Sequence, residues 1–178
     1  KLTTYRELAE HAVTMVERQL RRVHATPRTA ETPLPGAPVN QDWQAFRAEF
    51  LANSTLPLAV NEHLLRVYGV RAAAVAGYAR ERGLEAVIDE TSGVIAAEVP
   101  WAFEREGART LSDVVARRTM IGLGPATGVG PDLAIASIAQ AELGWDQLRA
   151  DREVARYREW VKRYQPRVLA TAIGSTSS

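Results

Sequence analysis

Residues 110–146 read TLSDVVARRTMIGLGPATGVGPDLAIASIAQAELGWD, and their punctuation decides the fold. Thr110 stands as an N-cap ahead of Leu111-Ser112-Asp113 and opens one helix. Gly122, Gly124, Pro125, Gly128 and Gly130 form a glycine-rich turn that no helix or strand tolerates. A second helix is predicted from Pro131 to Leu143, with Gly144 ending it. A third is predicted from Asp146 to Tyr164, before Pro166. Three helical segments joined by turns, with no period-2 strand between them, point to an all-α fold.

The same grammar extends upstream. Trp43, Phe46 and Phe50 share one face of a helix predicted over Asp42–Ala52. Pro57 suits the first turn of a helix running to Val67, which Gly69 stops. A further helix covers Arg71–Glu81 and ends near Gly83. Another spans Gly93–Glu106, where Pro100 implies a kink or a helix start near itself. Leu84–Ile88 is the one short strand candidate. The expected fold is a multi-helix, bundle-like domain over residues 42–165, followed by a flexible tail over 166–178.

Residues 25–41 carry Pro27, Pro33, Pro35, Gly36 and Pro38, which rules out a helix and predicts an extended, stiff linker. Ahead of it, residues 1–24 form one detached helix. Thr4 and Glu7 have capping-box spacing. Tyr5, Leu8, Ala12, Val13, Val16, Leu20 and Val23 make an apolar stripe at helical spacing. A lone helix of this length is only marginally stable in water. The stripe is therefore expected to dock on the helical domain or on a second copy of the chain. A helix start this abrupt suggests that a longer protein continues upstream.

Composition sets bounds. The net charge is +1, from 22 basic and 21 acidic residues, so there is no global pull toward nucleic acid or an anionic membrane. With no cysteine, disulfide, thiolate and cysteine-metal chemistry are excluded, and a reducing compartment fits. No apolar run approaches the ~20 residues a membrane-spanning helix needs. His11, His24 and His63 are scattered, without a second ligand at metal spacing, and His63 is expected to be a structural hydrogen-bonding residue. No Ser/His/Asp order suggests nucleophilic catalysis. Gly122-Leu123-Gly124-Pro125 lacks both the G-K-[ST] ending of a phosphate loop and a preceding strand. A helix-turn-helix reading fails because residues 132–142 carry no Arg or Lys. Trp43, Trp101, Trp145 and Trp160 are expected as core or interface anchors. Arg117-Arg118 offers a phosphate contact, but ion pairing with Glu98, Glu104 or Glu106 is the expected role.

Several segments carry a resemblance. KLTTYRELAEHAV at the start, TPLPGA at 32–37, HLLRVYG at 63–69, and Glu98 followed by REGARTLSDVVARRT at 105–119 occur in this order. Together they resemble a C-terminal fragment of the FAD-dependent, aerobic or respiratory, glycerol-3-phosphate dehydrogenases: the end of the FAD domain plus the helical C-terminal domain. The resemblance implies that residues 1–24 are the terminal helix of an FAD-binding domain. It also implies that Lys1, Leu2, Thr3 and Thr4 are cofactor-binding residues beside the N1–C2=O edge of the flavin, where a helix N-terminus suits negative charge.

By that resemblance the parent enzyme oxidises sn-glycerol 3-phosphate to dihydroxyacetone phosphate and passes electrons to quinone or oxygen. Its catalytic and substrate-binding residues lie upstream, and no catalytic residue falls in this segment. The implied partners are the FAD and substrate domains of the same chain, with a homo-oligomer open and no nucleic acid. The implied location is cytoplasmic, with the parent peripheral on the cytoplasmic membrane. The segment alone is expected to be inactive and to hold no FAD. The competing class is a free-standing helical protein-interaction module.

Overall fold

The computed structural model describes residues 4–23 and 26–164. Helix α1 covers Tyr5–Gln19, α2 Trp43–Asn53, α3 Leu58–Tyr68 and α4 Ala72–Arg82. A small hairpin follows, β1 Val87–Asp89 against β2 Val94–Ile95. Then come α5 Glu98–Arg105, the short α6 Leu111–Asp113, α7 Pro131–Leu143 and α8 Gln147–Val161. The fold is all-α, as the sequence implies.

The helix ends follow side-chain chemistry. Asp42 accepts from the N–H of Ala45 at 2.9 Å, and Asp146 from that of Arg149 at 2.7 Å, each filling a donor that the helix leaves open. Gly83 and Gly144 close α4 and α7 in the left-handed conformation. Trp101 and Trp145 are buried, and Trp43 and Trp160 pack against the core.

Thr110 caps α6 in a full capping box: its hydroxyl accepts from the N–H of Asp113 at 3.2 Å, and Asp113 accepts from the N–H of Thr110 at 3.0 Å. Partial burial would raise the Asp113 carboxyl. Hydrogen bonds from Arg109 and Thr110, and the Arg117 guanidinium, outweigh this and hold it below the usual carboxylate range. A carboxyl depressed on folding stabilises the fold above its unfolded value, ~3.9, and that contribution is lost as pH falls through the folded value. Asp113→Asn should therefore lower stability by about 1 kcal/mol near neutral pH. The gap from the parent chain should narrow below pH ~4. Urea unfolding at pH 7 and pH 3 reads this, and an equal gap at both pH values would contradict it.

Four expectations are corrected. Residues 93–97 are not helical: Gly93 closes the hairpin turn and α5 starts at Glu98, so Pro100 falls in its first turn, where a missing N–H costs nothing. Helix α1 stops at Gln19 rather than at His24, because Arg21 takes a positive φ of 52°; His24 itself lies outside the described residues. Thr4 is the N-cap of α1, but its backbone, at φ −113° and ψ 12°, is not extended, and its hydroxyl makes no capping bond. The Thr4–Glu7 capping box is therefore absent.

The fourth correction concerns the apolar stripe of α1, which does not dock on the helical body. Tyr5, Leu8, Val13, Val16, Leu20 and Val23 are all exposed. The proline-rich segment instead folds back along the polar flank of α1, where Arg6 donates to the Thr32 carbonyl at 2.9 Å and Thr29 donates to Glu10.

Residues 42–164 hold two adjoining apolar cores. One gathers Phe50, Val60, Leu64, Leu65, Ala72 and Val75 from α2, α3 and α4. The other gathers Leu111, Val114, Ile135, Ala139, Tyr157 and Val161 from α6 and the residue after it, α7 and α8. The segment 94–102 belongs to both: Ile95, Ala97 and Trp101 face the first, while Val94, Val99 and Ala102 face the second.

Candidate functional site

Of the residues nominated by sequence for the flavin edge, Lys1, Leu2 and Thr3 lie outside the described residues. Thr4 sits at the start of α1, and its hydroxyl makes no capping bond to the first-turn amides. The first intrahelical bond runs from the Leu8 N–H to the Thr4 carbonyl at 3.0 Å. Side-chain capping therefore does not compete for this helix end.

The strongest polar constellation lies elsewhere, at the junction of the two cores. Glu98 opens α5 and is fully buried. Its carboxyl group accepts from the Ile95 N–H at 3.0 Å and from the Tyr68 hydroxyl at 2.9 Å. His63 Nε2 stands 3.0 and 3.1 Å from its two oxygens. Two carboxyl oxygens against one ring nitrogen make Nε2 the protonated, donating atom. Burial, and then the neighbouring Glu98, push the Tyr68 hydroxyl well above the usual phenol range, so it stays a donor. His63 Nδ1 is buried without a partner. His63 is thus the structural hydrogen-bonding residue the sequence suggested. The His63 and Glu98 side chains are both buried, so the cluster ties α3 to the start of α5 as a polar joint.

Arg117 and Arg118 are placed by an irregularity. After Asp113 the helix widens into a π-helical turn over Val114–Arg118. Arg117 pairs with Asp113 at 3.0 Å, and Arg118 donates to the Glu106 carbonyl at 2.8 Å. Of the three expected partners Arg118 meets Glu106, through its backbone carbonyl; Glu98 is taken by His63 and Tyr68, and Glu104 by Arg82 at 3.2 Å. Both contacts lie at the α5–α6 connection: Arg117 on Asp113 of α6 and Arg118 on the Glu106 carbonyl just after α5.

A second buried carboxylate, Asp132 at the start of α7, is held by Arg158 at 2.6 and 3.2 Å and by the N–H groups of Gly130 and Leu133. Among the described residues no group of three or more His, Asp or Glu side chains could hold a metal ion. No helix among them is long and apolar enough to cross a membrane.

The sequence missed Glu98 as a hub, although the signal was present. It is the lone charge in the run VIAAEVPWAF over residues 94–103, and an isolated acid inside such a run requires buried donors.

These features belong to a helical domain built around a buried polar joint, and comparison with known proteins says which domain it is. The family described as the C-terminal domain of alpha-glycerophosphate oxidase matches residues 27–150. The chain belongs to this family. It is 33% identical over 168 residues to a glycerol-3-phosphate dehydrogenase of Synechocystis, covering 91% of this chain and 30% of that protein. It is 32% identical over 179 residues to glycerol-3-phosphate dehydrogenase 2 of Mycobacterium tuberculosis, covering 97% of this chain and 29% of that one. Glycerol-3-phosphate dehydrogenase 1 of the same organism is 40% identical over 130 residues, 70% of this chain and 22% of that protein. The chain thus spans under a third of the length of these relatives. No solved structure matches it.

Proposed function

We propose that this chain is the C-terminal part of an FAD-dependent glycerol-3-phosphate dehydrogenase. The whole protein would oxidise sn-glycerol 3-phosphate to dihydroxyacetone phosphate, with quinone or oxygen as the final electron acceptor. The match of residues 27–150 to the C-terminal domain of alpha-glycerophosphate oxidase carries this reading. The exposed apolar stripe of α1 supports it, because such a stripe suits burial against a domain lying upstream.

FAD, when bound, would supply the two-electron acceptor for oxidation at C2 of the substrate. Lys1, Leu2, Thr3 and Thr4 would then border the flavin at the head of α1. The Thr4 hydroxyl leaves the first-turn amides uncapped, which fits a helix end that receives an anionic group from outside. The helical body over residues 42–164 would pack as a cap on the catalytic body and take no part in the chemistry. The partners would be the upstream FAD and substrate domains, in a cytoplasmic protein that touches the membrane peripherally.

The test is a matched pair of proteins. A chain extended upstream to the length of the relatives should bind flavin stoichiometrically and reduce an artificial electron acceptor when glycerol 3-phosphate is added. The 178-residue chain should be colourless and inactive. A colourless, inactive extended protein that is nevertheless folded would overturn the proposal.

A further inference from the structure

A groove on the domain surface gathers Arg71, Arg105, Arg117 and Arg118 around Tyr68 and Glu106. Its volume is about 420 Å³, within the range of small-ligand sites. We propose that this groove binds the phosphate group of a small phosphomonoester.

Charge comes first. Four arginines and a single acid, Glu106, line the groove, and Asp113, outside the lining, pairs with Arg117, although the whole chain carries a net charge of only +1. The positive excess is therefore local. The single acid is already answered: Arg71 lies 4.0 Å from Glu106. Burial pushes the Glu106 carboxyl upward, against the pull of the nearby Arg71 and Arg118.

Pre-organisation comes second. Arg71 stacks over the Trp101 ring at 5.5 Å. Arg117 is fixed by Asp113, and Arg118 by the Glu106 carbonyl. Guanidiniums held in this way lose little freedom when they engage an oxyanion, and their planar forks match its geometry. Arg105, at the end of α5, is exposed and has no hydrogen bond or ion pair among the described residues. It is the arm free to close on a ligand.

Local backbone comes third. Arg117 and Arg118 are delivered by the π-helical turn Val114–Arg118, a rare departure that recurs at functional sites. The floor of the groove is also coupled to the joint, since Tyr68 lines it and donates its hydroxyl to buried Glu98. A small anion is favoured over an acidic protein segment because the cations converge on one concave site and do not run along an edge.

The 178-residue chain should be titrated by calorimetry with inorganic phosphate and, separately, with glycerol 2-phosphate, at ionic strength held constant with sodium chloride. Saturable one-site binding is expected, with Kd on the order of 1 mM or tighter. The double variant Arg105→Ala with Arg117→Ala should weaken it at least ~10-fold, since each lost charge-assisted bond contributes that much. Arg152→Ala, on an exposed part of α8 away from the groove, should bind like the parent. Tighter binding of the ester identifies an esterified ligand, and equal binding identifies free phosphate; both support the site. Dilution heats alone with both phosphates, or binding that survives the double variant, would overturn it. Binding of hexaglutamate without either phosphate would overturn it in favour of an acidic segment. If the double variant melts, Arg105→Glu alone, at an exposed and unpaired position, should abolish binding with the circular dichroism unchanged.

Discussion

Glu98→Ala should lower the stability of the chain by about 3–5 kcal/mol, the range seen when one partner of a buried charged network is removed. The variant strands three donors in a buried site: the Ile95 N–H, the Tyr68 hydroxyl and His63 Nε2. Each unpaired buried donor costs roughly 1–3 kcal/mol, and the missing methylenes add a cavity. At this chain length each kcal/mol moves the melting temperature by about 2–4 °C, so a fall of roughly 6–20 °C is expected. The effect should also be cooperative, because segment 94–102 contributes to both cores. Thermal melting by circular dichroism reads the first point, and coincident near- and far-UV transitions read the second. Glu98→Gln should fall less, since its carbonyl oxygen keeps one acceptor while its amide opposes the remaining donors. A Glu98→Ala chain melting within ~2 °C of the parent would show that the joint contributes nothing.

The sequence yields most of the helical layout because the chain marks its own boundaries. Pro131 and Gly144 bracket α7 where the structure has it. Asp146 opens α8 through its own carboxylate. Thr110 and Asp113 make their box within four residues. Such signals are local, and local chemistry is legible in a string of letters.

What the string hides is pairing across distance. Val94 and Ile95 look helical beside an Ala-rich run, but they pair with Val87–Asp89 across a tight turn. Glu98 meets partners 30 and 35 residues away. Arg71 and Arg105 join Arg117 and Arg118 only through the packing of α4, α5 and α6. The π turn is equally hidden, since VVARR has no residue that forces it. The Thr4 capping box failed for the opposite reason: the letters are correct, but the N-cap backbone is not extended. For the nominated flavin-edge residues, the resemblance supplied the reading, and spacing alone would not have done so.

Gly69→Ala should be the most damaging single-methyl substitution, at roughly 2–6 kcal/mol, from backbone strain added to overpacking. Gly69 ends α3 with φ 58° and ψ −131°, a conformation that no L side chain adopts without strain. A Cβ placed there would also stand 2.1 Å from the Gly36 carbonyl oxygen, which is backbone and cannot rotate away. Gly36 faces the same constraint, since its own Cβ would lie 2.4 Å from the Tyr68 carbonyl oxygen. The two glycines let the proline-rich segment press onto the end of α3, where the Val70 N–H donates to the Gly36 carbonyl at 3.0 Å.

A methyl group at Gly69 therefore has two outlets. It can push the proline-rich segment off the domain, or it can shift Tyr68 and loosen its bond to Glu98. The first outlet loosens the backbone around the already exposed Arg28, which trypsin needs extended to cleave, and the second lowers the melting temperature. Gly69→Ala should show faster cleavage at Arg28, a lower melting temperature, or both. Gly77→Ala, mid-helix on α4 with open space around it, should show neither. If Gly69→Ala matches the parent in both assays, the close approach of Gly36 and Gly69 does not hold the segment in place.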